Sequence, residues 1–317
     1  MRSRWHQEDP FMPLAPRLVR QVIARSESSL ETYGELIVES GHYSDDNIII
    51  SLHTDIGPST TNKNTNQDFA LGWTAHPHYR STLPHFVIAV ADGLSSSRGA
   101  EWGAMTVCFQ AVSWLIENYR YGHEPEELSA TAFRVAENSL TMMADSMGNR
   151  PHSSCPVSDF SRTWEHILKK RQLLQTTLML CWCDGAHFHT AAIGDGGIVL
   201  FPNGDKAAGE TISECDLTTS VVNYLGPRPP SSGTSPALDI YENKAVGPLF
   251  SGLICTDGIA RGMQNDLLDL SEILELPKLP ENETAPRDFI TSAKDEMGNS
   301  FDDNLTLAMF RVSTNGN

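Results

Sequence analysis

Apolar and polar positions follow two periods along the chain. After a Pro-bounded start, Leu18, Val22, Ile23, Leu30, Tyr33, Leu36 and Ile37 recur at helical spacing, which predicts a helix ending near Gly41. From Asn47 short β-branched runs take over. NIIISL, FALGW and FVIAVADG, separated by polar and His/Pro loops, read as strands of an antiparallel meander. Between Gly99 and Tyr119, Ala104, Val107, Cys108, Ala111, Val112 and Leu115 return to three-to-four spacing, and a second helix follows from Pro125 to about Met147. Its start carries Glu126 and Glu127, acids suited to a helix N-terminus.

Residues 149–162 read as a loop and Thr163 to Leu174 as a shorter helix. Strands return as TTLMLCWC, HFHTAAIG and GIVLF, divided by Asp-Gly and Gly-Gly turns. Residues 202–249 are rich in Gly, Pro, Ser and Thr and form a long excursion of the kind that often carries function. GLICTDG, helices near 264–275 and 286–297, the turn GNSFDDN and the strand LTLAMFRV close the chain. This order predicts helices covering a sheet assembly, not a regular βαβ alternation. The division expected is an N-terminal helical arm over 1–46, a main domain over 47–313 and a polar tail over 314–317.

Charge narrows the partners. The 40 Asp and Glu against 23 Lys and Arg leave a net charge of -17, which repels nucleic acid and anionic membrane surfaces. No apolar stretch is long enough to span a bilayer, and the amino terminus lacks the apolar segment of a secretory signal, so a cytoplasmic protein is expected. The six cysteines form no CxxC pair and read as reduced core thiols. Cys181 and Cys183 flank Trp182 on one strand face, where core packing outweighs a zinc pair. HPHYRSTLPH reads as a surface loop and HFH at 187–189 as a packed strand. The sequence contains no P-loop, GxSxG elbow or HExxH.

Candidate chemistry lies at strand ends. FVIAVADG runs into Asp92, AAIGDGG into Asp195 and GLICTDG into Asp257, while Asp302 and Asp303 precede the last strand. A strand end holds a carboxylate rigidly yet open to solvent, and several side by side make a cage of hard oxygen ligands suited to Mg²⁺ or Mn²⁺. Taken singly, each acid is equally an Asp-Gly turn.

As a set, with NQD at 66–68, these segments resemble in order and spacing the metal-dependent Ser/Thr protein phosphatases of the 2C type, in their bacterial branch. GPSTTNKNTNQDF, AVADGLSSSRGAEWGA, QTTLML, AAIGDGG, and CTDG with DDNLTL carry the resemblance from about Gly57 to Val312. It implies an α+β fold, a four-layer α-β-β-α sandwich of two antiparallel sheets flanked by helices. It also implies two Mn²⁺ or Mg²⁺ ions, with Asp92 bridging, Asp257 and Asp303 completing one ion, and the Gly93 carbonyl and Gln67 serving the other. Asp68 and Lys63 would belong to the catalytic set, Lys63 standing at the phosphate-binding position; Arg98, in the loop after Asp92, is the candidate for a second side-chain cation there, the alternative being that both are solvated loop charges. The implied reaction is hydrolysis of phosphoserine and phosphothreonine in a protein substrate, opposing a Ser/Thr kinase, by hydroxide held between the ions and without a phosphoenzyme.

Several residues depart from the pattern. Gln67 replaces a Glu and lacks its charge, so the second ion should bind more weakly and millimolar metal is expected. Lys63 stands for an Arg and lacks its bidentate fork. Leu94 replaces a His and cannot donate a proton. Arg261 and Gln172 occupy the places of two acids, which puts a third ion in doubt. Asp195 is assigned to the turn. These departures motivate an alternative reading, a catalytically weak or inactive module that binds a phosphoprotein.

Overall fold

The computed structural model describes residues 15–56, 66–97, 99–119, 122–148, 173–202, 210–213, 223–227, 238–247, 249–264, 284–297 and 303–313. In chain order the elements are α1 (Ala15–Tyr33), β1 (Gly34–Val38), β2 (Gly41–Ser44), β3 (Ile48–Asp55), β4 (Phe69–Ala75), β5 (Phe86–Ala91), α2 (Ala100–Asn118) and α3 (Pro125–Gly148). There follow β6 (Leu178–Cys183), β7 (His187–Ile193), β8 (Gly197–Pro202), β9 (Glu210–Ser213), β10 (Ile240–Ala245) and β11 (Leu249–Cys255). The last three are α4 (Asp257–Gln264), α5 (Ala285–Met297) and β12 (Leu305–Ser313). A 3-10 turn at Pro77–Tyr79 occupies the His/Pro loop.

Among the described residues, twelve strands form two six-stranded sheets with antiparallel neighbours, in the orders β1-β4-β5-β6-β7-β10 (sheet A) and β2-β3-β12-β11-β8-β9 (sheet B). Residue alternation divides the core. Phe86, Ile88 and Val90 of sheet A and Ile48, Ile50, Phe250 and Phe310 of sheet B fill the space between the sheets. The alternate residues Val87, Ala89 and Ala91 pack outward under α1, α2 and α3. Across the molecule Leu253, Cys255, Leu305 and Leu307 pack under Ile259 and Ala260 of α4 and Ile290 and Ala293 of α5. The result is the four-layer α-β-β-α sandwich.

The helical stripe expected in α2 is buried throughout, from Ala104 to Leu115. In α1 the buried stripe of Val19, Ser26 and Leu30 seats the helix on α2, where Ser29 Oγ donates to Glu117 at 2.6 Å, and on sheet A, where Trp73 Nε1 donates to the Leu30 carbonyl at 2.9 Å. The helix ends at Tyr33, earlier than its periodicity suggests, because Leu36 and Ile37 pair with Trp73 and Gly72 in sheet A. Residues 34–44 therefore supply strands to both sheets. A helix that the periodicity does not announce runs from Asp257 to Gln264, and the helix expected near 264–275 lies, beyond Gln264, outside the described residues. The loop at 149–162 and all but the end of the helix expected at 163–174 also lie outside them. Buried Cys108, Cys181, Cys183 and Cys255 are core residues, and burial pushes the Cys183 thiol up to about 12.

Candidate metal centre

The polar end of the sandwich follows from strand parity. In β4 and β5 the residues opposite one another end with Phe69 and Ala91, so Asp68 and Asp92 face each other one step further on. Both continue the rows that fill the space between the sheets. At this end those rows turn from apolar side chains to carboxylates: Asp68 is 5% exposed, Asp92 9% and Asp257 3%.

Backbone and hydroxyl groups fix each acid. The Asp92 carbonyl accepts from Thr177 N and Thr176 Oγ1, both at 2.8 Å, and Asp92 N donates to Thr177 Oγ1 at 3.0 Å. Asp68 N donates to Asn66 Oδ1 at 3.1 Å, and Asp68 Oδ2 accepts from Thr256 Oγ1 at 2.7 Å. Asp257 opens α4, where an acid suits the helix dipole. Asp303 precedes β12, and its Oδ1 accepts from Asn304 N at 3.0 Å. Gly93 N donates to the Gln67 carbonyl at 3.2 Å, and Leu94 N to that of Gln175 at 3.0 Å.

Asp92, Asp195 and Asp257 each place one carboxylate oxygen within 4.8 Å of the others. Asp195, assigned to a turn on its Asp-Gly sequence, thus stands in the acidic cluster. The turn itself is real. Asp239 holds it by accepting from Gly194 N at 2.8 Å and from Asn223 Nδ2 at 2.5 Å, which ties two points of the 202–249 excursion to the site. Leu225 of that excursion also pairs through its backbone with Thr176. Lys63, Arg98 and Gln172 lie outside the described residues, as does the side chain of Arg261.

Burial and mutual repulsion dominate the electrostatics of these acids. Burial pushes Asp68 up to about 7, with Asp257 and Asp303 adding repulsion against the hydrogen bonds it accepts from Asp92 and Thr256. Burial and then the charge of Asp68 push Asp92 well above the usual carboxylate range, with Asp303 and Asp195 contributing. Gln67 Oε1 and Asp68 Oδ1 are buried without a hydrogen-bond partner among the described residues. Unpartnered buried oxygens beside crowded carboxylates fit a divalent cation.

A pH effect follows for the metal-free protein. Because the folded state holds the Asp68 proton up to about 7 while the unfolded chain releases it near 3.8, unfolding releases a proton throughout that interval. The contribution of Asp68 to stability should therefore fall as pH rises from about 4 to about 7, and the raised Asp92 acts in the same direction. Thermal melts of EDTA-treated protein across this range check it; a melting temperature that climbs with pH contradicts it.

The family model for protein phosphatase 2C matches residues 56–223, just over half of the chain. No curated protein sequence matches it. Among solved structures, the serine/threonine phosphatase PstP/Ppp of Mycobacterium tuberculosis aligns at 16% identity and a TM-score of 0.56, covering 84% of this chain and 99% of that one. The catalytic domain of PstP in complex with two manganese ions aligns at 17% identity and 0.56, with the same coverage. Stp1 of Staphylococcus aureus aligns at 13% identity and 0.54, covering 84% of this chain and 95% of that one. At these identities the structural likeness establishes the fold.

Proposed function

The chain belongs to the protein phosphatase 2C family, and from that premise we propose that it hydrolyses phosphoserine and phosphothreonine in proteins, using two Mn²⁺ or Mg²⁺ ions. One observation carries this reading: Asp68, Asp92, Asp195, Asp257 and Asp303, from five separate strand ends, gather at one end of the sandwich, and Asp92, Asp195 and Asp257 have carboxylate oxygens within 4.8 Å of one another. Asp92, Asp257 and Asp303 would hold the ions, with the Gly93 carbonyl and the amide oxygen of Gln67 as further donors. Asp195 adds a carboxylate to the same cluster. The ions, when bound, supply neutralising charge and an acidified water for attack on phosphorus.

The protein's own part is placement. Thr176 and Thr177 lock the backbone of Asp92, and Asn66 and Thr256 lock Asp68 opposite it. Fixed dipoles and charges of this kind need not reorganise during the reaction. Lys63 and Arg98 are proposed to receive the phosphate. Leu94 has no proton to give, so the leaving alkoxide takes its proton from water or from a donor other than residue 94. The substrate is a phosphoprotein, and the role is to reverse a Ser/Thr kinase in the cytoplasm. No helix among the described residues is long and apolar enough to cross a membrane.

Phosphate release from a phosphothreonine peptide should require Mn²⁺, rise from micromolar to millimolar metal, stop with EDTA and return when Mn²⁺ is restored. No turnover at any metal concentration, by protein that still binds Mn²⁺, overturns the reading in favour of a binding module.

A further inference from the structure

Sheet B presents a counter-surface to the acids. Thr54 of β3 lies opposite Thr306 of β12. Thr256, one step past the Cys255–Leu307 pair, donates its backbone N–H to the Thr306 carbonyl at 3.1 Å. All three threonines continue rows whose earlier members, Leu52, Ala308 and Ile254, fill the space between the sheets. A row of hydroxyls thus crosses three strands at the level of the acids.

The row grips the segment that enters β4 on the opposite sheet. Thr54 Oγ1 accepts from Asn66 Nδ2 at 3.0 Å, while Asn66 Oδ1 accepts from Asp68 N. Thr256 Oγ1 donates to Asp68 Oδ2 at 2.7 Å and accepts from Thr306 N at 3.1 Å. Thr256 also sits at the cap of α4, where its carbonyl accepts from Ile259 N and Ala260 N, both at 3.1 Å. A threonine there ordinarily turns its hydroxyl onto the first turn of its own helix. Here the hydroxyl crosses to the other sheet instead. Thr256 is wholly buried, so that bond is shielded from water.

We propose that Thr256, supported by Thr54, is a positioning residue for the metal centre: it fixes the Asp68 carboxylate across the gap between the sheets, and the metal affinity of the acid cluster depends on it. The inference rests on the metal-dependent reading above. Loss of a partner that orients a metal ligand typically weakens metal binding about 10-fold to 100-fold, and Thr256, which acts on the ligands through Asp68, is expected at the lower end of that range.

The test compares Thr256→Val, which keeps shape and removes the hydroxyl, with Thr256→Ser, which keeps the hydroxyl. Calorimetric titration of the metal-free proteins with Mn²⁺ should show affinity weakened about 10-fold or more in the Val variant and within about twofold of native in the Ser variant. The rise in melting temperature on adding Mn²⁺ should shrink in Val and persist in Ser; a purely structural role would lower melting temperature equally with and without metal. Should Thr256→Val not fold, Thr54→Val, at a half-buried site, should reduce Mn²⁺ affinity by a smaller factor, about threefold. Native affinity in a folded Thr256→Val protein, or in Thr54→Val where Thr256→Val does not fold, overturns the proposal, as does a Ser variant as weak as Val. Failure of the native chain itself to bind Mn²⁺ would instead remove the metal-dependent reading.

Discussion

Asp92→Asn should lower phosphatase activity by about 10³-fold or more while raising the melting temperature of the metal-free protein. The two effects share a cause. Without cations, the Asp92 charge is buried and faces Asp68, Asp303 and Asp195, which is why its carboxyl keeps a proton well above the usual range. Asparagine has nearly the same shape, carries no charge, and its Nδ2 can donate to Asp68 in place of that proton. With cations the ledger reverses, because a central negative ligand has been removed. Parallel melts with EDTA and with Mn²⁺, set beside activity on p-nitrophenyl phosphate, measure both. Retained activity would remove Asp92 from the centre; a lower metal-free melting temperature would mean that its charge is not under strain.

Gly93→Ala should cost about 2–4 kcal/mol of stability, lowering the melting temperature by about 5–10 °C, and should abolish Mn²⁺-dependent activity. A methyl group at this position would lie 2.7 Å from the Gln67 carbonyl oxygen and 2.8 Å from the carbonyl carbon and oxygen of Ala100. All three are backbone atoms, so no side-chain rotation relieves the crowding. Any shift displaces Gln67 and the start of α2 on either side of Asp92. Circular dichroism melts and activity assays test this; a Gly93→Ala protein with native values would show that the close approach is not needed.

How much of this was legible in the sequence depends on the range of the cause. Strands of sheet A announced themselves because FVIAVA and LMLCWC are buried on both faces and so are continuously apolar. Asp92 and Asp257 stood out because an apolar run stops at each, and Asp303 because an apolar run starts just after it. Asp195 did not: an Asp between two glycines suits a turn equally well, and only the pairing of β8 with β11, which sets Gly197 opposite Cys255, brings it to Asp257. The extension of α1 past Tyr33 failed because Leu36 and Ile37 satisfy helical spacing by chance, and pairing with β4, some 35 residues away, overrides it. Thr54, Thr256 and Thr306 look like ordinary strand residues. Their alignment depends on the register of strands far apart in the chain, which no local pattern encodes.

The stretch from Gly34 to Ser44 covers β4 in one sheet and β3 in the other. It acts as a clasp over the same flank of both layers. A recombinant version trimmed to begin at Asn47 would strip that cover from two edges at once, leaving rows of amide and carbonyl groups ready to zip onto another copy. Shortening the protein at the apparent change of sequence texture would thus promote edge-to-edge self-association.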